Sequence, residues 1–323
     1  MSELIETIRE QAARLLKEDV VDVVIGFQAS ALALSARPAF VTLPEQADRL
    51  VHNGFCQSNL ASYVTRRDRN ERVGIICRGC ESRAVRVLVS EHQHDREKLY
   101  VVGVPCEGII DWRKVERMGE LGPEGVADIR QAVEEGDEVV VVLDDGERRL
   151  QRAGVLHDSC TRCIHPNPVG ADIVLGDPVA ENGSGQAWAQ VLEFEALSPE
   201  QRYAHFIQEA ERCIRCYACR EACPMCYCTE CFVDHNFPRW AETMITPGGT
   251  HAWHIVRAFH QTGRCVDCGA CERACPMDIK MTYLTEKLNH DVLQEYEFEV
   301  GASDEASPPF ATFTLDDKKR FVR

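Results

Sequence analysis

Residues 213–224 read CIRCYACREACP and residues 265–276 read CVDCGACERACP. Both follow the spacing C-x2-C-x2-C-x3-C-P, which decides the fold of the C-terminal third of the chain. Three closely spaced thiolates hold three corners of a cubane, and the fourth cysteine is turned away to ligate the other cluster. On that rule Cys213, Cys216, Cys219 and Cys275 hold one [4Fe–4S] cluster, and Cys265, Cys268, Cys271 and Cys223 hold the second. Pro224 and Pro276 break the local helix and help to turn the fourth thiolate away. Zinc also accepts four cysteines, but its sites favour two CxxC pairs with a longer gap, not a doubled run of this kind.

Working outward, the link between Cys223 and Cys265 is longer than in a small bacterial ferredoxin and contains a helix-like run, His251 to Gln261. Over roughly residues 198–290 the module therefore resembles the alpha-helical ferredoxins of heterodisulfide and fumarate reductases, which implies an electron relay. His251 and His254 form an H-x-x-H pair on that helix, which on a packed face reads as structural. Upstream, Ser198 suits an N-cap, Pro199 the first helical position, and Gln201 closes a capping box. Tyr203, Phe206, Ile207 and Ala210 make one apolar stripe leading into Cys213.

The first 195 residues carry an α/β pattern. Ser2–Lys17 is predicted to be a helix with Ile5, Ala12 and Leu16 on one stripe. Val20–Ile25 reads as a buried strand closed by Gly26, and Val73–Ile76 and Leu99–Val104 as strands flanking a helix over Ser82–Glu91. Strand, helix, strand implies a mostly parallel sheet. Glu138–Leu143 is a further strand ending at the turn Asp144-Asp145-Gly146. The expected organisation is an α/β domain over 1–195, a mainly helical dicluster ferredoxin domain over 196–292, and an extended tail over 293–323. That tail, from GASDEASPPFATF onward, is expected to be loose or pinned by a partner through Phe310 and Phe313.

The chain has 323 residues and 17 cysteines, too long and too ordinary in composition for a secreted disulfide scaffold, so most thiols point to metal binding. Its net charge of −16 repels phosphate backbones and argues against nucleic acid. Val139–Leu143 is the longest aliphatic run, far short of a membrane span. MSELIETIRE lacks a signal-peptide core, so a cytoplasmic location is expected.

Ligands of a parallel sheet gather beyond the carboxyl ends of its strands. Cys77 and Cys80 follow one strand and Cys106 the next, and the CxxC pair Cys160–Cys163 in a Pro- and Gly-rich loop could close the same site. The alternative is buried thiols used as small hydrophobes. Here VGIICRGCESRAVRVL (73–88), VVGVPCEGIIDW (101–112) and CTRCIHPNPVGADIVLGDP (160–178) resemble segments of the deazaflavin-coenzyme-reducing hydrogenase and dehydrogenase beta subunits, and VVDVVIGF (20–27) is similar to that family's first strand. The resemblance covers roughly residues 10–180. It implies a third [4Fe–4S] cluster on Cys80, Cys106, Cys160 and Cys163, with Cys77 spare, and FAD beside it. The family's Gly-rich turn before the first helix is missing and no G-x-G-x-x-G replaces it, which tells against FAD. Finally, Cys226, Cys228 and Cys231 (MCYCTEC) could cap a fourth cluster with Cys56 or Cys77 as the remaining ligand, or be spare thiols beside the relay.

The expected function is an iron–sulfur electron-transfer subunit of a cytoplasmic oxidoreductase. Its partners would be a formate dehydrogenase, a hydrogenase or a flavin-containing heterodisulfide-reductase-like subunit. One alternative is a self-contained flavin/iron–sulfur enzyme acting on a deazaflavin or nicotinamide carrier; another is a zinc-stabilised scaffold.

Overall fold

A computed structural model describes residues 2–122, 124–183, 187–242, 244–303 and 308–310. Its centre is a mixed sheet in the order β2-β1-β4-β5-β9, with β3 also on β1. The strands are β1 (Val23–Ala29), β2 (Ala36–Val41), β3 (Leu50–Val51), β4 (Val73–Cys77), β5 (Leu99–Gly103) and β9 (Ile173–Val174). β1, β4, β5 and β9 run parallel, while β2 and β3 are antiparallel to β1.

Period-two alternation sends neighbouring strand residues to opposite faces. Val24 and Val102 pack with Ile8, Ala12 and Leu15 of helix α1 (Ser2–Lys17). Val23, Ile25, Val73 and Ile75 pack with Val85 and Leu88 of helix α2 (Gly79–Ser90). The α1 stripe is centred on Ile8, Ala12 and Leu15, with Ile5 and Leu16 only part-buried at its edges.

The first strand differs from the sequence expectation at both ends. β1 starts at Val23, not Val20, and continues through Gly26 instead of ending there. Gly26 is a packing residue: a Cβ would stand 2.8 Å from Leu50 Cδ2 and 2.9 Å from Ile76 Cδ1. The helix expected at Ser82 begins at Gly79, because the Glu81 carboxylate reaches back to accept from Arg78 N at 2.9 Å and holds its first turn. Cys80 therefore sits in the first helical turn and not in a loop.

Glu138–Leu143 is a strand as expected, but it belongs to a separate antiparallel sheet of β6 (Gln131–Glu135), β7 (Glu138–Leu143) and β8 (Gly146–Gln151), with the 144–146 turn joining the last two. That sheet has its own core around Phe55, Ile110, Val139, Val141 and Leu150.

The C-terminal region is helical: α3 (Pro199–Glu211), α4 (Pro247–Gln261) and α5 (Thr282–Tyr296), with one-turn helices Ala218–Glu221 and Ala270–Arg273. The Ser198–Gln201 capping box forms at the start of α3. Of the expected α3 stripe, Phe206 and Ala210 are buried, whereas Tyr203 is exposed.

The two regions share a core. Met225, Val266, Val292, Phe298 and Val300 join the cluster on the α2 face of the sheet. The segment after α5 is tied to α2, since Arg83 donates to the Val300 carbonyl at 2.6 and 2.9 Å and Arg86 Nη1 to the Ala302 carbonyl at 2.6 Å. Phe310 rests edge-on against Tyr296; Phe313, the other anchor expected in the tail, lies outside the described residues.

Candidate metal centres

The two quartets fold as near copies. The residues two and four positions after the first cysteine, Arg215 and Tyr217 in one and Asp267 and Gly269 in the other, all have positive φ, between 50° and 67°. Each run then enters its one-turn helix, Ala218–Glu221 or Ala270–Arg273. Turns that visit the left-handed region in this way aim backbone N–H groups inward, a concavity suited to an anionic group. One such bond is formed, from Arg215 N to Cys213 Sγ at 3.3 Å.

Each quartet's last thiol neighbours thiols among the first three of the other. Cys275 acts electrostatically on Cys213 and Cys219, together with Cys216. Cys223 acts on Cys265, Cys268 and Cys271. Burial pushes the Cys271 thiol up to about 12. Thiols so raised are protonated at neutral pH, so loading iron must displace protons, and binding is coupled to folding.

Three separate segments bring together the thiols expected for the third centre. Cys80 lies at the start of α2. The loop carrying Cys163 crosses that helix so closely that a Cβ on Gly79 would stand 2.0 Å from the His165 carbonyl oxygen. The Pro166 carbonyl accepts from Cys106 N at 3.0 Å. Cys106 Sγ accepts from Gly108 N at 3.4 Å, and Cys160 Sγ from Ile109 N at 3.3 Å. Cys160 and Cys163 are electrostatic neighbours of Cys106, whose thiol burial raises to about 11. N–H groups already aimed at sulfur, and four thiols around one space, are the donor chemistry of an iron–sulfur site. Cys77 faces the core on the strand before this group, fully buried.

The group borders a cavity of about 1320 Å³ that also reaches Cys268 of the second quartet and Arg78, Arg83, Arg152 and Arg162. Cys268 and Cys106 both act on Cys80, so this group of thiols adjoins the second quartet. The cavity's cations are engaged: Arg78 with Glu81, Arg152 with Glu134 and Arg162 with Glu286, each at 2.9 Å.

Cys226, Cys228 and Cys231 sit in different surroundings. Cys226 lies against Cys223, and its thiol is held below the usual range by Cys223's hydrogen bond despite burial. Cys228 is exposed, while Cys231 packs near Trp253. Cys56 and Cys77, the fourth ligands considered for them, are sealed in the sheet core. Among the described residues no three His, Cys, Asp or Glu groups converge on a single metal ion. His251 and His254 sit on the packed face of α4; burial and then Arg257 hold His254 down to about 4.

Sequence reasoning missed the charged residues around these thiols. Arg78, inside the first CxxC, is buried, donates to the Cys56 carbonyl at 2.6 Å and is paired with Glu81. Arg273 donates to the Cys268 carbonyl at 2.6 Å and to Gln57 O at 2.7 Å, and Arg113 to the Cys275 carbonyl at 2.5 Å.

His157 caps the one-turn helix that carries Cys160, accepting from Ser159 N at 3.4 Å. Burial, and then Arg273 and Lys280, lower it to about 2 from an ordinary 6.5. Because the folded chain refuses a proton that the unfolded chain accepts, stability is full above 6.5 and falls as pH drops below it. The expected slope is about 1.4 kcal/mol per pH unit. Urea unfolding between about pH 7 and 5 checks this. His157→Asn, which keeps a capping side chain, should flatten the slope; an unchanged slope would remove His157 as its source.

Residues 70–194 match the family described as the C terminus of the coenzyme F420 hydrogenase/dehydrogenase beta subunit, and residues 209–279 match the 4Fe-4S dicluster domain. The chain is 22% identical over 351 residues to the F420-dependent formate dehydrogenase subunit beta of Methanocaldococcus jannaschii, covering 92% of this chain and 91% of that one. It is also 22% identical over 353 residues to the F420-dependent formate dehydrogenase 1 subunit beta of Methanococcus maripaludis, covering 91% and 90%. Among solved structures it is similar to a chain of the F420-reducing [NiFe] hydrogenase complex from Methanosarcina barkeri, with a TM-score of 0.42 and 13% identity, over 66% of this chain and 90% of that one. The chain thus carries the C-terminal domain of the F420 hydrogenase/dehydrogenase beta-subunit family, followed by a 4Fe-4S dicluster domain, and it is homologous to the beta subunits of F420-dependent formate dehydrogenases. Among the described residues no helix is long and apolar enough to cross a membrane.

Proposed function

We propose that this chain is the electron-relay subunit of a cytoplasmic formate dehydrogenase or hydrogenase-type complex. In this reading its ferredoxin module, of the alpha-helical heterodisulfide-reductase type, exchanges electrons with a partner subunit. The observation that carries it is the order of the thiol sets. Cys80, Cys106, Cys160 and Cys163 stand at the sheet edge, Cys268 of the second quartet adjoins Cys80, and the first quartet ends at Cys216, which is exposed. Clusters on these sets would make three stations, from an internal cavity to the surface.

When bound, each [4Fe–4S] group takes up and passes on one electron. The chain's own residues fix the stations. The α2 cap places Cys80, the left-handed turns present N–H groups to the quartets, and Arg113 and Arg273 tie down the peptide carbonyls beside Cys275 and Cys268.

Anaerobically purified protein should hold about twelve irons with matching acid-labile sulfide, about four per cluster, and should co-purify with a larger redox subunit. Zinc without sulfide would overturn the reading.

The cavity favours a second reading, a self-contained flavin enzyme acting on a deazaflavin or nicotinamide carrier, because its volume admits a dinucleotide. Against it, Arg78, Arg152 and Arg162 are already paired with carboxylates. Bound flavin that bleaches on addition of the hydride carrier would establish it.

A further inference from the structure

Helix α4 passes along both quartets and carries one guanidinium into the space between them. Arg257 is only 8% exposed. Its Nη2 donates to the Cys219 carbonyl at 3.3 Å, and its Nε has no hydrogen-bond partner. The groups whose charge acts on it are the thiols of Cys271, Cys223, Cys219 and Cys226: members of both quartets and the cysteine beside them. Gln261, one turn further along the same face, accepts from Cys223 Sγ at 3.5 Å and donates to Cys226 Sγ at 3.4 Å.

A buried cation without a counter-charge is among the costliest features a fold can hold. The other deeply buried arginines have a carboxylate or close carbonyl acceptors: Arg78 has Glu81 at 2.9 Å, Arg83 the Val300 carbonyl, Arg215 the Glu242 and Met244 carbonyls, and Arg273 those of Gln57 and Cys268. Beside the Cys219 carbonyl, Arg257 faces only sulfur, the thiols of Cys219, Cys223, Cys226 and Cys271. Its environment becomes electrostatically complete when those sulfurs carry the negative charge of loaded clusters.

Building on the cluster assignment above, we propose that Arg257 sets the reduction potentials of both ferredoxin clusters, as a fixed positive charge shared between them. Four thiolates leave each cluster net negative, and each electron accepted from the preceding station adds a further negative charge. A cation in a water-poor site favours the more negative, reduced form. Because the charge lies against ligands of both quartets, it raises both potentials together and opposes the repulsion an electron on one cluster exerts on the other.

The test is an EPR-monitored redox titration of the full chain, loaded under strict anaerobiosis, as parent, Arg257→Lys, Arg257→Met and Arg257→Gln. The neutral variants should keep the parental iron content and shift both ferredoxin signals to lower potential. At a fixed ambient potential the reduced-to-oxidised ratio should fall about tenfold for each, which is 59 mV for one electron. Arg257→Lys should stay within about threefold of the parent, under half of that displacement. If both neutral variants lose iron while Arg257→Lys loads fully, the charge is required to hold the clusters, which also supports the proposal. Unchanged potentials in a loaded neutral variant would overturn it. So would a shift confined to one cluster, or loss of iron in the lysine variant too. Zinc in the parent protein would instead overturn the cluster assignment itself.

Discussion

Replacing Cys106 with Ala should remove about four irons and, with them, much of the stability of the α/β region, while the two ferredoxin EPR signals persist. Cys106 stands beyond β5, Cys80 at the head of α2, and Cys160 and Cys163 on the loop that crosses both. A cluster on these four joins segments far apart in sequence. A cluster would link residues 106 and 160 across a long stretch of chain, and a cross-link closing a stretch of that size contributes on the order of 4 kcal/mol. The free energy of assembling the site adds to this, because no such site exists in the unfolded chain. A fall in Tm of roughly 10 °C is therefore expected, measured beside iron analysis of the same sample. Full iron content and a parental melting curve would show that these thiols are packing residues.

Glu81→Ala should be nearly as damaging for a different reason. Its carboxylate accepts from Leu60 N at 2.8 Å, Arg78 N at 2.9 Å and the Arg78 side chain at 2.9 Å. The side chains of the pair are only 3% and 1% exposed. Removing one partner strands a buried guanidinium and two backbone donors, a loss of about 3–5 kcal/mol. The contrast is Arg130–Asp144, also close at 2.7 Å but with side chains 67% and 77% exposed; Asp144→Ala should leave stability nearly unchanged, because solvent screens the pair. Urea unfolding of both variants in parallel measures the difference. Because Glu81 also holds the turn that bears Cys80, the Glu81 variant should lose iron from the third site first. Equal, small effects from both variants would mean that burial does not govern these pairs.

The reach of the sequence is clear from particular residues. The dicluster domain was legible because cluster geometry imposes its spacing on consecutive residues, and the doubled C-x2-C-x2-C-x3-C-P states it twice. The parallel sheet was legible because strands buried on both faces must be apolar throughout, as Val73–Ile76 and Leu99–Val104 are. The capping box at Ser198 and Gln201 is likewise local chemistry. Gly26 was misread because the same residue serves turns and close packing, and only the positions of Leu50 and Ile76, from distant parts of the chain, distinguish the two.

Composition changes near residue 195, yet Met225, Val266, Val292, Phe298 and Val300 complete the core beneath the sheet, so packing crosses the point where the pattern shifts. The different surroundings of Cys226, Cys228 and Cys231, and the placing of Arg257 among sulfurs, were decided by tertiary structure alone. Sequence spacing constrains neighbours along the chain. Which distant charge meets which thiol depends on how whole helices and loops pack, and a single guanidinium leaves no periodic mark by which to foresee it.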